Sequence, residues 1–143
     1  MVKDEHKTAR IIEFIPNTEF YFNRGIIAFQ KNKIQLAKKY LLRAADFCQT
    51  DDERAYTLCQ LAICHQHTGE YAESIQILEA LLESIDKEFP EAYYFLANNY
   101  AFLNDFEKAL EAVQRYLRED PNGDFINEAE ELLDMVLYEL NED

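Results

Sequence analysis

The chain has 143 residues, with 14 Lys+Arg against 28 Asp+Glu and a formal net charge of −14. Hydrophobic residues make up 48%, which suits one packed domain or a short array and excludes intrinsic disorder. So negative a balance opposes a phosphate-backbone ligand, and no nucleic-acid partner is expected.

No apolar run approaches the roughly 18 residues of a membrane helix, so membrane insertion is not expected. Met1-Val2-Lys3-Asp4-Glu5 lacks the apolar core of a secretory leader, which predicts a soluble, cytoplasmic chain. Cys48, Cys59 and Cys64 are odd in number and read as reduced thiols rather than a disulfide framework.

In chain order, residues 1–17 stand apart. Ala9-Arg10-Ile11-Ile12-Glu13-Phe14-Ile15 is an apolar arm closed by Pro16, ahead of Asn17-Thr18-Glu19, which opens the first helix. The arm is expected to cap the first helices or to lie in a groove. After residue 18, apolar residues recur at three- and four-residue steps; Leu58, Leu61, Ala62 and His65 form one helical stripe, and Ile75, Leu78, Leu81 and Leu82 another. With only three Gly and three Pro there is little turn chemistry for strands. The chain is predicted all-α.

The helices repeat. Tyr21-x-x-Arg24-Gly25, Leu58-x-x-Leu61-Ala62 and Tyr93-x-x-Leu96-Ala97 align, the small residue stepping by 37 and then 35 residues. About seven residues further on, each unit shows a turn: Asn32-Lys33-Ile34, Gly69-Glu70-Tyr71 and Asn104-Asp105-Phe106. Asn and Gly accept the left-handed conformation that ends a helix. A second small residue follows in each unit (Ala37, Ser74, Ala109), then Leu41, Leu78 and Val113, then Ala44, Leu81 and Tyr116. Thr50-x-x-Glu53 has the form of a capping box, and Pro90 that of a first helical residue. In residues 124–143 a stripe of Phe125, Ile126, Ala129, Leu132, Leu133, Val136 and Leu140 faces acids on the other side. That predicts an acidic capping helix.

Tyr93-x-x-Leu96-Ala97-x-x-Tyr100 with Phe106, Ala109 and Pro121 resembles the Trp-x-x-Leu-Gly-x-x-Tyr…Ala…Pro pattern of the tetratricopeptide repeat. Units one and two depart from it at Arg24, at Ala28 and His65, and in lacking the closing Pro. The resemblance implies three helical hairpins, at about 18–51, 55–88 and 90–123, stacked as a short right-handed superhelix and closed by the capping helix. It is similar to the N-terminal repeat region of larger bacterial proteins of this family.

Chemistry is sparse. Cys59, Cys64, His65 and His67 diverge around a helix, at roughly 0°, 140°, 240° and 80°, so they cannot converge on one metal. They read as packing residues, with His67 near the surface. No phosphate loop, nucleophile elbow or His-Glu-x-x-His is present, and no enzyme activity, metal or cofactor is expected. Charge is uneven: residues 1–51 hold nine Lys+Arg and six Asp+Glu, and residues 52–143 hold five and twenty-two. A solvated capping face explains the acidic end, although opposite ends could also attract between molecules.

What the family resemblance adds is a concave groove lined by the first helix of each hairpin. Its peptide-binding positions are Phe22, Asn23, Ile26 and Phe29, then Tyr56, Gln60, Ile63 and His67, then Tyr94, Phe95, Asn98 and Phe102. Family members that hold the acidic tails of heat-shock chaperones use Lys, Asn and Arg at groove positions that read Phe22, Ile26, Gln60, Glu91 and Phe95 here. The expected function is a non-catalytic adaptor binding a peptide or protein segment among aromatic anchors. The alternative is a self-associating unit, such as a homodimer, built through the arm or the repeat ends.

Overall fold

The computed structural model describes residues 17–141 of the chain. Apart from Asn17, the predicted arm lies outside the described residues, as do the last two residues of the acidic helix. The described residues form seven α-helices: α1 (Thr18–Gln30), α2 (Ile34–Asp46), α3 (Asp51–His67), α4 (Tyr71–Ser84), α5 (Glu91–Phe102), α6 (Phe106–Glu119) and α7 (Ile126–Asn141). The first six pair as the hairpins α1–α2, α3–α4 and α5–α6. Successive hairpins join through α2 on α3 and α4 on α5, and α7 closes the array on α6. No described helix is long and apolar enough to cross a membrane.

Local chemistry sets the helix limits. Asn17 Oδ1 accepts the Phe20 amide at 2.8 Å, and Asp105 caps α6 through the Lys108 amide at 3.3 Å, each satisfying an N–H that the helix itself leaves open. Thr50 Oγ1 accepts the Glu53 amide at 3.1 Å. The return arm of this box reaches one residue further back than the usual pattern, Glu53 Oε1 accepting the Gln49 amide at 2.9 Å. Pro90 stands at the cap rather than at the first helical position. Its φ of −63° and ψ of −26° are already helical, so the ring starts the turn from one residue earlier.

Each hairpin turns on one left-handed residue: Asn32 (φ 60°), Gly69 (φ 77°) and Asn104 (φ 60°). Those are the residues the sequence offers at the three turns, and Asn and Gly tolerate this conformation best. The small residues then let the paired helices close. Ala62 and Ala97 are fully buried, as are Ala37 and Ala109, and Gly25 leaves no room for a side chain. A Cβ built on Gly25 would stand 2.8 Å from Leu41 Cγ, and Leu41 is itself fully buried. Behind these contacts Leu41, Leu78, Val113, Ala44, Leu81 and Tyr116 are all 0% exposed; they fill the space between the helices.

Polar groups lock one hairpin to the next. Between the first two, Lys38 is only 8% exposed, and a buried lysine requires partners. It donates to Glu70 Oε1 at 2.5 Å and to Thr68 Oγ1 at 2.9 Å, while the Thr68 hydroxyl donates to Glu70 at 2.6 Å. His65 Nδ1 lies 3.1 Å from the same carboxylate. The Lys38 and Thr68 hydrogen bonds hold the Glu70 carboxyl down at about 2. Between the second and third hairpins, the Ser74 hydroxyl donates to the Ala62 carbonyl and accepts from Asn99 Nδ2, both at 2.8 Å. Gln66 Nε2 completes the chain to Asn99 Oδ1 at 3.0 Å. Among the described residues no buried side-chain nitrogen or oxygen lacks a partner.

The capping helix α7 buries Ala129, Leu132 and Val136, while Glu128, Glu130, Glu131, Asp134 and Glu139 face outward. Its approach is guided by the Phe125 amide, which donates to the Tyr116 hydroxyl at 3.0 Å.

Two outcomes are expected. Gly25→Val should destabilise the fold by about 2 kcal/mol through overpacking against Leu41, read as a lower urea midpoint. Because its carboxyl is depressed in the fold, Glu70 contributes stability that is complete above about pH 5 and is lost as pH falls toward 2. The gap in urea midpoint between wild type and Glu70→Gln should therefore be widest near neutrality and narrow on acidification.

Candidate functional site

The first helices of the three hairpins, α1, α3 and α5, share one face, and two cavities lie along it. The first, of about 350 Å³, sits between α1 and α3 and is lined by Thr18, Glu19, Phe22, Glu53, Tyr56 and Thr57. Phe22 and Tyr56 also wall the second, of about 240 Å³. There they are joined by Cys59, Gln60 and Ile63 from α3, and by Glu91 and Phe95 from α5. Phe89, Asp124 and Phe125 complete that wall from the connecting segments. Phe22, Tyr56, Gln60, Ile63 and Phe95 are thus brought together, although they span 74 positions of chain.

The other expected positions lie elsewhere on this face. Asn23 is exposed and Ile26 half-buried on α1. Phe29 meets His67 edge-to-face, with ring centroids 4.8 Å apart, near the turn ends of α1 and α3. Asn98 and Phe102 border a smaller cavity of about 130 Å³ with Ala101, Leu132 and Met135. The Asn98 amide is partly used, donating to the Tyr94 carbonyl at 3.1 Å, and Phe102 stacks on Tyr71 at 4.7 Å.

Tyr94 plays a different part. Its ring stacks parallel on Phe125 (4.8 Å, 2°) and lies 5.2 Å from Phe95 and 5.7 Å from Tyr116. It lines neither of the two cavities on this face. This cluster fastens the capping segment to the third hairpin and, through Phe125, places one more ring on the wall. Phe89, Asp124 and Phe125 come from segments outside the repeating helices, so the repeat alignment does not reach them. Phe125 carried one signal, as the first member of the final apolar stripe.

Cys59 faces the cavity yet is only 6% exposed. Burial, helped by the charge of Glu91, pushes its thiol up to about 12. Burial likewise lifts Cys64 to about 11, against a smaller opposing effect of Lys38. Both thiols are neutral at pH 7, the unreactive form. His65 is tied to Glu70 and His67 to Phe29. Among the described residues no group of three or more His, Cys, Asp or Glu side chains is placed to hold a metal.

Three helix hairpins, stacked one on the next and closed by a terminal helix, define an α-solenoid. The sequence profile of the tetratricopeptide repeat matches residues 18–51 and 69–125; the chain belongs to the tetratricopeptide repeat family. It is 33% identical over 133 residues to the TPR repeat-containing protein YvcD of Bacillus subtilis (strain 168), a match covering 92% of this chain. The chain spans only 27% of that protein's length. The fold is similar to the first TPR of Spaghetti (RPAP3) bound to the HSP90 peptide SRMEEVD. That match has a TM-score of 0.74 and 18% identity, and covers 86% of this chain and 92% of the other. It is also similar to the Yersinia enterocolitica type III secretion chaperone SycD in complex with a peptide of the translocator YopD. There the TM-score is 0.72 and the identity 16%, with 86% of this chain and 94% of the other covered.

The two kinds of aromatic should separate under mutation. Tyr94→Ala, which empties a packed ring stack, should lower stability by about 2–3 kcal/mol. Phe22→Ala, half-buried against the first core cluster but open to the cavities on its other side, should lower it by less, about 1 kcal/mol. Urea denaturation of the two variants checks the order.

Proposed function

We propose that this chain is a non-catalytic interaction module that holds a peptide or protein segment along the concave face of α1, α3 and α5. The observation that carries the reading is the convergence of Phe22, Tyr56, Gln60, Ile63 and Phe95 on one cavity wall. Aromatic side chains bring large contact areas and few rotors, so they serve as binding anchors. Tyr56 remains 58% exposed and so presents a large ring to anything that enters the cavities it shares with Phe22. Gln60 beside these rings supplies an amide that can both donate to and accept from a ligand's backbone.

Proteins of similar fold support a peptide ligand, since the Spaghetti (RPAP3) domain and SycD are both described with peptides bound. The nature of the ligand is a separate matter. An acidic tail of the SRMEEVD kind is disfavoured here, because Glu91 and Asp124 stand on the cavity wall and would repel it.

The test compares wild type with a Phe22→Ala/Phe95→Ala variant whose folding is verified by its melting curve. Each is used for affinity capture from a lysate of the source organism, read by mass spectrometry. Proteins held by wild type and released by the variant, with a loss of about 2 kcal/mol or more on retitration of the purified partner, are the expected result. Identical captures would move recognition off this face and overturn the reading.

A further inference from the structure

We infer that the groove selects a cationic ligand: a peptide segment in which Lys or Arg residues flank an apolar or aromatic anchor. The inference rests on the groove reading above and adds the chemistry of the occupant. It starts from the charges on the two joined cavities. Glu19 and Glu53 line one, and Glu91 and Asp124 line the other. Among the described residues, no lysine or arginine lines either.

An acidic protein shows acids on many surfaces, so the useful comparison is with another cavity of the same molecule. The one between α4, α5 and α6, of about 280 Å³, sets Lys108 and Arg115 against Glu79 and Glu111. Arg115 is further balanced by Glu119 at 2.6 Å. The groove has no such balance. Lys87 is within electrostatic reach of Tyr56 and Glu91, but its ammonium is ion-paired with Asp52. Among the described residues Glu19, Glu91 and Asp124 make no ion pair, while Glu53 is held by the Gln49 amide.

The spatial order of the groove matters as much as its charge. Phe22 and Tyr56 form the partition between the cavities, with a pair of carboxylates on either side. An apolar side chain seated on that partition places residues before and after it beside Glu19 and Glu53 in one direction and Glu91 and Asp124 in the other. Aromatic faces attract cations as well, so Lys or Arg beside these rings gains twice. Low-dielectric walls focus the field of the carboxylates into the cavity, and complementary charge raises both capture rate and selectivity. An acidic or uncharged segment finds the same rings without that second attraction.

Selection of random dodecapeptides on the full chain tests this, with fluorescence anisotropy of the enriched peptides to follow. Enrichment of Lys or Arg around an apolar anchor is expected. Binding should weaken about tenfold or more in Glu19→Gln/Glu91→Gln/Asp124→Asn, and also as salt rises to molar levels. Glu53 is left intact because it caps α3. Acidic or uncharged winners that need Phe22 and Phe95 would overturn the cationic assignment and leave the groove standing. Cationic winners indifferent to the triple variant and to salt would overturn it equally. Winners unaffected by Phe22→Ala/Phe95→Ala would overturn the groove reading itself, and the charge assignment with it, as would a library that enriches nothing.

Discussion

Each hairpin depends on two antiparallel helices coming close enough to share one layer of side chains, and that approach is set at two points. One is the left-handed residue at the turn, Asn32, Gly69 or Asn104, which reverses the chain within two or three residues. The other is the small residue facing the second helix, at Gly25, Ala62 and Ala97. Because the gap there is narrow, the next positions along the interface can be filled completely, and Leu41, Leu78, Val113 and Tyr116 are sealed from solvent. A wider hairpin would leave voids, and voids of methyl size already cost about 1 kcal/mol each.

Stacking hairpins poses a separate problem, because apolar faces alone slide easily. Two polar joints, one half-exposed at Glu70 and one buried at Ser74 and Asn99, fix the register. Lys38 ties the first hairpin to the Thr68–Glu70 turn of the second, and Ser74 with Asn99 ties the second to the third. A buried polar group is tolerated only where its partners are placed, so a displaced hairpin would strand a lysine or an asparagine in the core. The joints thus help hold α1, α3 and α5 in the alignment that sets two cavities along them.

The cap does more than end the array. Phe125 leads into α7, stacks on Tyr94 and reaches the cavity wall beside Phe95. The same ring that stacks on the last hairpin therefore also lines the cavity between α3 and α5. Tyr94, which lies on the same first-helix face, is committed to this packing and anchors the cap.

How much was legible in the residues follows from where the signals are local. Helicity, the three turns, the small-residue positions and the buried stripe of α7 all come from spacing within one or two helices, and they are readable directly because helix geometry is periodic. The repeat extends this reading to one shared helix face, and the aligned positions Phe22, Tyr56, Gln60, Ile63 and Phe95 do line one cavity. Tertiary structure alone decided the rest: that Tyr94 turns into an aromatic stack, that Phe89, Asp124 and Phe125 join the wall from non-repeating segments, that the Glu53 box reaches Gln49, and that Lys38 is buried. These outcomes depend on which side chains meet across distant parts of the chain. A periodic pattern states which face a residue occupies, whereas the partner it finds there is set only when the hairpins stack.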